Sequence, residues 1–351
     1  MKLLVEKNDL IFATNSVSRI SSKTSGVTSG IRIIAEEGRM NLTANDLELG
    51  ISCEITAQTI TAGAIVVPSK IFVEAVRRFP GEEVDIEVQE DRQLVCIKSG
   101  FSKVELLGMS SVNFPNLPDI NNYSKIFLSQ RLLRSMIKQL SFAVSTDDMR
   151  PILTGMLWEY KENTFRMVAA DGFRVASRKE KVESDNENEF RVVVPGRTIG
   201  ELIRLLNDVE DLVEVAVGRN HVLVKAGEVT IISRLLEGNY LNVDQYLPNK
   251  FHSIIRLKPK ALIEAVERAS VVAKDGIGGT VRLHIKNGIL SLRSQSIEYG
   301  SHFEEWPVDD EGDELEIMFS IKVIIDILKA IEHGDIVLSF TGSLGPCIGK
   351  S

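Results

Sequence analysis

Apolar residues at helical spacing recur three times along the chain, at an almost constant interval. The segments VVPSKIFVEAVRRF, VVPGRTIGELIRLL and MFSIKVIIDILKAI enter this pattern at Pro68, Pro195 and Ser320, which are 127 and 125 residues apart. In each copy a basic residue follows two positions later, and an acidic residue follows six positions later. Apolar residues between them have the spacing of one helix face. The pattern predicts an amphipathic helix in each copy of a repeated unit.

Three further elements match between the copies. A second helix is predicted to open at Val5–Leu10, Leu128–Leu133 and Leu257–Leu262. Alternating apolar and polar residues predict antiparallel strands in VDIEVQEDRQLVCIKSG, VEVAVGRNHVLVKAG and IVLSFTGSLGPCIGKS. Strand-like sequences also surround Asp46, Asp171 and Ser296, spaced 125 and 125 residues apart. Each copy is therefore predicted to be an α+β unit with antiparallel sheets. The predicted helices cover 7–23, 68–79, 128–145, 195–208, 258–274 and 320–333.

Linkers rich in Pro and Asn separate the copies. FPNLPDINNYSK and QYLPNKFHS have this composition, so we expect domains at 1–122, 123–249 and 250–351. Copies one and two continue after the hairpin with FSKVELLGM and EVTIISRLLEG, whereas the given sequence of copy three ends at GPCIGKS. We therefore expect domain three to lack its last strand. GSLGPCIGKS is close to a phosphate-binding loop, but its glycine spacing is one residue short and no helix follows, so a hairpin is favoured.

Composition excludes several functional classes. Of the 351 residues 44% are hydrophobic and 26% are charged, as in ordinary soluble proteins. No apolar run reaches membrane-spanning length, so we expect a cytoplasmic protein. The cysteines are Cys53, Cys96 and Cys347, with no metal or disulfide spacing, and the five histidines are scattered. Neither G-x-S-x-G nor H-E-x-x-H occurs. We expect no catalytic residue, metal ion or cofactor.

Positive charge is concentrated in the predicted helices. They contain 17 Lys and Arg against 8 Asp and Glu, a charge of +9, while the rest of the chain carries −17. One interpretation is that basic residues simply favour the solvent-facing sides of helices. The other is a surface built from helices that faces an anion, such as a phosphate backbone, without reading sequence. The charge pattern alone leaves both open.

Five motifs together resemble one known family. They are FPNLPDI, MRPILTGMLWEY, AADGFRVASRK, VVPGRTIGEL and LLEGNYLNVDQYLP. The chain resembles the bacterial DNA polymerase III beta subunit, the sliding clamp, over almost its whole length. The resemblance implies three clamp domains, with helices lining a central hole around double-stranded DNA and antiparallel sheets outside. It also implies a head-to-tail homodimeric ring, a non-catalytic processivity function in the polymerase complex and association with the nucleoid.

The resemblance also implies a peptide-binding cleft between domains two and three. There the clamp loader, the replicative polymerase alpha subunit and other clamp-motif proteins would insert a short motif of Gln, Leu and Phe. The matching positions are Arg150, Leu153, Gly172, Phe173, Arg174, Val175, Leu241, Gln245 and Tyr246. The repeat gives separate support, because Glu48 and Glu298 occupy the position of Phe173 in the other copies. The alternative is that Phe173 is an ordinary core residue.

Two further surfaces follow from the resemblance. The helix residues expected to face DNA are Lys7, Arg19, Lys23, Arg77, Arg78, Arg131, Arg134, Lys138, Arg197, Arg204 and Lys274. The residues expected at the dimer interface are Phe72, Ala75, Phe79, Leu106, Val271 and Val272.

Departures from the family keep two alternatives open. KTSGVTSGI replaces the Pro-Ile-Leu run that usually follows the first helix, and Leu241 replaces a proline. A degenerate clamp paralogue would bind partner peptides without supporting processive replication. An unrelated enzyme with triplicated domains is the more distant alternative.

Overall fold

The computed structural model describes residues 1–20, 26–120, 123–182, 189–273, 279–331 and 334–350. Two α-helices belong to each repeat in this part of the chain. The helices are α1 (Lys7–Val17), α2 (Ser69–Arg78), α3 (Gln130–Leu140), α4 (Gly196–Leu205), α5 (Pro259–Val272) and α6 (Ile321–Lys329). The repeat of two helices and several strands, predicted from the sequence, is confirmed.

The strands of each repeat follow the same order around the helices. The first repeat contains β1 (Lys2–Glu6), β2 (Gly30–Glu36), β3 (Arg39–Asn45), β4 (Leu49–Thr56), β5 (Gln58–Thr61), β6 (Gly63–Pro68), β7 (Glu83–Gln89), β8 (Leu94–Ser99) and β9 (Ser102–Leu107). The second contains β10 (Ser124–Ser129), β11 (Gly155–Lys161), β12 (Thr164–Ala170), β13 (Val175–Lys181), β14 (Phe190–Pro195), β15 (Leu212–Val217), β16 (His221–Ala226) and β17 (Val229–Arg234). The third contains β18 (Ser253–Leu257), β19 (Thr280–Lys286), β20 (Ile289–Ser296), β21 (Gly300–Pro307), β22 (Asp309–Gly312), β23 (Leu315–Ser320), β24 (Ile336–Phe340) and β25 (Cys347–Lys350).

All pairs of strands among the described residues are antiparallel, which confirms the predicted α+β class. The sheet orders are β5-β1-β7-β8-β9, β13-β12-β11-β14, β22-β18-β24-β25, β21-β20-β19-β23 and the eight-stranded β10-β15-β16-β17-β4-β3-β2-β6. The eight-stranded sheet crosses from the second repeat to the first, because β17 pairs with β4 at Val229↔Cys53, Ile231↔Ile51 and Ser233↔Leu49. The first two repeats therefore share one continuous sheet.

The chain divides into two compact units. The first combines Met1–Ile137 with Ala143–Tyr240, and the second combines Lys138–Phe142 with Leu241–Ser351. The core of the second unit is formed by buried residues of its helices and sheets, including Leu262, Val266, Leu283, Leu292 and Ile324. Burial of such apolar side chains is the dominant stabilising contribution to a core of this kind.

Several predicted element ends were wrong. The first helix ends at Val17 rather than residue 23, and a single 3₁₀ turn follows. The third helix begins at Gln130, because Leu128 and Ser129 pair with Val213 and Leu212 as part of β10. Interstrand hydrogen bonds satisfy these backbone groups and override the local helical pattern. The strand predicted across Asp46 is a turn that joins β3 to β4, and the turn at Asp171 likewise joins β12 to β13.

The two helices of each repeat are linked by a polar bond. In the first repeat Arg77 Nη2 donates to Asn15 Oδ1 at 2.5 Å. In the second, Arg134 Nε donates to the carbonyl oxygen of Ile203 at 3.3 Å, and in the third Lys329 Nζ donates to Glu267 Oε1 at 2.9 Å. These bonds hold basic side chains along the helix pair in all three repeats.

Two glycines of the third repeat allow a test of backbone strain. Gly312 has φ +105°, and a Cβ there would lie 2.1 Å from the carbonyl oxygen of His252; Gly300 has φ +100° but open space around it. We expect Gly300→Ala to cost about 1 kcal/mol of unfolding free energy through backbone strain alone. Gly312→Ala should lower the unfolding free energy by about 2 kcal/mol more than Gly300→Ala does, because the paired backbone around His252 must move to make room for the methyl group. Urea unfolding measures the free energy of both variants. Equal losses would show that the short distance between position 312 and the His252 carbonyl has no effect on stability.

Candidate DNA-facing and peptide-binding surfaces

The turn between β12 and β13 is held by one carboxylate. Asp171 Oδ1 accepts hydrogen bonds from the amides of Phe173 at 3.0 Å and Arg174 at 3.1 Å, and Arg174 Nε donates to Asp171 Oδ2 at 2.7 Å. Gly172 has φ +95°, a conformation that glycine adopts without steric cost. The sequence Asp-Gly-Phe-Arg therefore fixes a tight turn whose tip is residue 173.

Phe173 is 98% exposed at the tip of this turn. The alternative that it is a core residue was therefore wrong. Val175 is also partly exposed, whereas Leu153 is buried. A Cβ at Gly172 would meet Arg150 Nη1 at 3.3 Å, so the guanidinium of Arg150 lies over the glycine. The structure brings these candidate residues together on one turn and the neighbouring segment.

The same capped turn occurs in the other two repeats. Asp46 Oδ1 accepts from the amides of Glu48 at 3.2 Å and Leu49 at 2.9 Å. Ser296 Oγ accepts from the amides of Glu298 and Tyr299, both at 3.1 Å. The three positions predicted to correspond, Asp46, Asp171 and Ser296, therefore each begin an equivalent capped turn. It places a phenylalanine in copy two where the other copies have glutamate.

Leu47 departs from the pattern of these turns. It occupies the position of Gly172 and has φ +78°, a left-handed conformation that is unusual for a leucine. Asn45 Oδ1 accepts from the Leu47 amide at 2.8 Å and helps to hold this conformation. Such a residue costs of the order of 1–3 kcal/mol and persists only where its surroundings fix it.

Three cleft candidates belong to the second compact unit. Gln245 and Tyr246 lie in one 3₁₀ turn, Val243–Tyr246, and Leu241 precedes it. All three side chains are exposed. Tyr240 ends the first unit and is buried, and that burial raises the pKa of its phenol to about 12.

The described DNA-facing candidates lie on the helices or directly next to them, and at least four of them are paired with acids. Arg78 contacts Glu74 at 3.1 Å, and Arg204 contacts Glu201 at 2.6 Å. The other two paired arginines are Arg131, which contacts Asp208 at 2.7 Å and Glu210 at 2.6 Å, and Arg197, which forms an ion pair with Asp46. The hydrogen bond with Asp208 and the nearby charges raise the pKa of the Arg131 guanidinium.

The remaining candidates have different surroundings. Lys7 Nζ donates to the carbonyl oxygen of Phe79 at 2.5 Å. Arg19 and Lys138 are exposed, while Lys23 and Lys274 lie outside the described residues. The six observed helices contain 13 Lys and Arg against 6 Asp and Glu. Positive charge is thus concentrated in the helices as they are observed.

The interface candidates differ in how exposed they are. Phe72, Phe79 and Leu106 are buried within the first repeat, with Leu106 only 7% exposed. Successive residues of a strand face opposite sides, so Leu107 instead of Leu106 points outward from β9, and it is 74% exposed. On α2 the outward apolar residue is Ile71. Ala75 and Val272 are half-buried, and Val271 is exposed.

Two features are missing from the described part of the chain. No group of three or more His, Cys, Asp or Glu side chains is arranged there to hold a metal ion. No helix among these residues is long and apolar enough to span a membrane.

The three repeats define the chain as a clamp-type protein. Family models for the N-terminal, central and C-terminal domains of the DNA polymerase III beta subunit match residues 1–118, 127–242 and 244–350. The chain belongs to the DNA polymerase III beta subunit family. This confirms the resemblance stated from the sequence, and the family is that of a clamp subunit and not of a catalytic one.

Relatives and solved structures agree with this assignment. The chain is 34% identical to the beta sliding clamp of Bacillus subtilis, over 99% of this chain and 94% of that protein. It is 33% identical to a beta sliding clamp of Staphylococcus epidermidis, over 100% and 95%. The crystal structure of the DNA polymerase sliding clamp from Bacillus subtilis superposes with a TM-score of 0.96 at 33% identity, covering 100% of this chain and 95% of that one.

Proposed function

We propose that this chain is a processivity factor: two copies form a head-to-tail ring around double-stranded DNA and tether a polymerase. Membership in the beta subunit family supports the proposal. The observation that carries it is the continuous sheet between repeats one and two, joined by β4 and β17. Repeats that join sheet edge to sheet edge form a closed ring only when the first and last repeats also pair with a neighbour.

The internal junction indicates how two copies would meet. By repeat position β9 corresponds to β17, and β21 corresponds to β4. Both β9 and β21 are edge strands in the described part of the chain. Pairing β9 of one copy with β21 of another would therefore repeat the junction already present in the chain, with Leu107 and Val271 as exposed apolar contacts.

The helix charges support sequence-independent contact with DNA. Phosphate contacts position a protein on the duplex without reading base sequence. A ring that holds DNA by topology needs only weak contacts, so an overall charge of −8 is compatible with the function. This is the reason for proposing the helices, and not the sheets, as the DNA-facing surface.

The Asp171–Val175 turn is proposed as a partner-binding site. The exposed Phe173 and Val175 offer apolar contact to a Leu or Phe anchor, and the adjacent Arg150 and Arg174 offer polar contacts. The family resemblance adds Leu241, Gln245 and Tyr246. The partners would be a clamp loader, the replicative polymerase alpha subunit and other proteins with the clamp motif, acting at the nucleoid.

Leu107→Glu tests the ring. A buried charge at an apolar contact is strongly unfavourable, so the variant should be monomeric at micromolar concentration while the wild type is a dimer. Analytical ultracentrifugation measures this, with Leu212→Glu as an equally exposed control on β15. The wild type should also remain on nicked circular DNA and leave when the DNA is linearised.

A strictly monomeric wild type would refute the ring. A dimer that binds partner peptides but leaves circular and linear DNA at equal rates would instead identify a degenerate paralogue.

A further inference from the structure

The internal junction between repeats one and two shows how the edges of two repeats pair. In it β17 runs antiparallel to β4, and Thr230 lies opposite Ser52. Because residues of antiparallel strands pair one to one, a single pair fixes all the others along the two strands. The same pairing can therefore be transferred to β9 and β21 once the matching residues of these two strands are known.

β9 corresponds to β17 at an offset of 127 residues. The glycines in the turns before the two strands, Gly100 and Gly227, both have φ +56°. The same offset relates the isolated bridges that follow the strands, Val66↔Met109 and Val193↔Leu236. Lys103 of β9 therefore occupies the position that Thr230 has in β17.

β21 corresponds to β4 through the rows of paired residues that cross their sheets. The rows are counted from the pairs that directly precede the second helix of each repeat, Gly30↔Pro68 and Thr280↔Ser320. Two positions further along, the rows are Arg32–Thr43–Ser52 and Arg282–Arg293–Phe303. The turn before β21 is one residue shorter than the turn before β4, so the strands are matched by these rows and not by the turns. Phe303 therefore occupies the position of Ser52.

We propose that β9 of one copy pairs with β21 of a second copy in the register of the internal junction, with Lys103 opposite Phe303. This register presupposes the ring proposed above and specifies which residues meet in it. The partner that fits is a second copy of this chain, because the template is a contact between two of the chain's own repeats.

A backbone bond of the internal junction has its counterpart in this register. The amide of Glu54 donates to the carbonyl oxygen of Glu228 at 3.0 Å. Glu305 and Phe101 occupy these two positions, so the same bond would join them across the two copies. Both β9 and β21 are edge strands in the part of the chain that the structure describes, and the backbone groups of an edge strand are a template for a further strand.

The side chains of the two strands point to the faces that this register requires. Residues opposite each other on paired strands must lie on the same face of the sheet. On β9 Lys103 and Leu107 are exposed, whereas Leu106 is buried. On β21 Phe303 is exposed, whereas Trp306 packs against the core of its unit. A slip of one residue would therefore place exposed side chains of one strand beside core-facing side chains of the other.

The register also gives neighbours to apolar side chains that are exposed in the single chain. Leu107 would lie opposite Tyr299, and Phe101 would lie diagonal to Phe303, within reach of an aromatic contact. Lys103 would place its cationic side chain beside the Phe303 ring, which attracts a cation. Exposed apolar residues that cluster in this way are typical of a surface that binds a protein.

Disulfide formation in double-cysteine variants tests the register. Each variant carries Cys347→Ser, because that cysteine is only half-buried while the other two are buried. The matched variants combine Ser102→Cys with Glu304→Cys, and Val104→Cys with His302→Cys. These would be non-hydrogen-bonded pairs with Cα atoms about 4.5 Å apart, a distance that suits a disulfide. The two exchanged combinations are the controls, because their Cα atoms would be about 7–8 Å apart and too distant for a disulfide.

With copper phenanthroline as the oxidant, the matched variants should form disulfide-linked dimers and the exchanged variants should not. Each substitution occurs in one matched and one exchanged variant, so a substitution that disturbs folding cannot produce this pattern. A dimeric chain in which only an exchanged variant is linked, or in which none is linked, would overturn the register and leave the ring standing. A parent chain that is monomeric in analytical ultracentrifugation would refute the ring and the register with it.

Phe303→Ala tests the side-chain contact. It should raise the dissociation constant of the dimer at least about fivefold, because the cation and the aromatic ring of the second copy lose their neighbour. Phe127→Ala is the matched control on the edge strand β10. Phe127 is also exposed, and Lys125 Nζ lies 5.0 Å from its ring centroid, as Arg293 lies 4.8 Å from that of Phe303. The control should stay within about twofold of wild type, and equal changes in both variants would overturn the contact at Phe303.

Discussion

Reversal of three helix charges, Arg19→Glu, Arg77→Glu and Arg204→Glu, is expected to weaken binding of a short DNA duplex at least tenfold. All three side chains are exposed. Each reversal replaces an attraction to phosphate by a repulsion of about 1 kcal/mol or more even at high dielectric constant. Three such changes exceed the 1.4 kcal/mol that corresponds to a factor of ten. Fluorescence anisotropy with a labelled duplex measures the loss.

A second triple variant controls for net charge. Lys98→Glu, Arg219→Glu and Lys225→Glu make the same change in charge at exposed positions of β8, β16 and the turn before β16. If the helices face DNA, this variant should bind the duplex within about threefold of wild type, because screening limits effects beyond roughly 10 Å. Equal losses in both triple variants would mean that only overall charge matters.

Phe173→Ala is expected to weaken a Gln-Leu-x-Leu-Phe peptide about ten- to hundredfold without reducing stability. Removing the contact of a large apolar side chain with a peptide anchor costs about 1.5–3 kcal/mol of binding. Because Phe173 is almost fully exposed, its loss leaves no cavity, and the unfolding free energy should change by no more than about 0.5 kcal/mol. Isothermal titration calorimetry and urea unfolding measure the two effects.

Phe101 provides the matched control, since it is 95% exposed in the turn between β8 and β9. Phe101→Ala makes the same chemical change at an equally exposed turn, and peptide affinity should not change. If Phe173→Ala also binds the peptide as tightly as wild type, the Asp171–Val175 turn is not part of the site.

Sequence patterns revealed the repeat because each copy retains its own periodicity. The helix at Pro195 and the hairpin VEVAVGRNHVLVKAG were predictable from neighbouring residues alone. The start of the third helix was not predictable in this way. The helix-like pattern begins at Leu128, but that residue belongs to a strand and pairs with Val213, more than 80 positions away. Helix propensity depends on neighbouring residues and carries no information about a strand partner so distant in sequence.

The candidate sites were predictable to different degrees. Phe173 stood out because the other copies have glutamate there, and its exposure removes the core alternative. The sequence does not show that Leu106 is buried and Leu107 exposed, because it does not reveal which face of β9 packs against the core. The cavity lined by Leu49, Thr198 and Leu235 was not predictable from the sequence, because only the pairing of β4 with β17 brings these residues together.

The ion pairs of these arginines affect how binding to DNA would depend on ionic strength. Arg78, Arg131, Arg197 and Arg204 each have a carboxylate partner within the chain. If such an arginine contacts a phosphate as proposed, DNA releases a counterion, but the freed carboxylate attracts a cation in its place. The salt dependence per contact is therefore shallower than the slope of about −0.9 expected for an unpaired cation on B-form DNA. If these four arginines contact DNA as proposed, they add less to the salt dependence of binding than four arginines without an acidic partner would add.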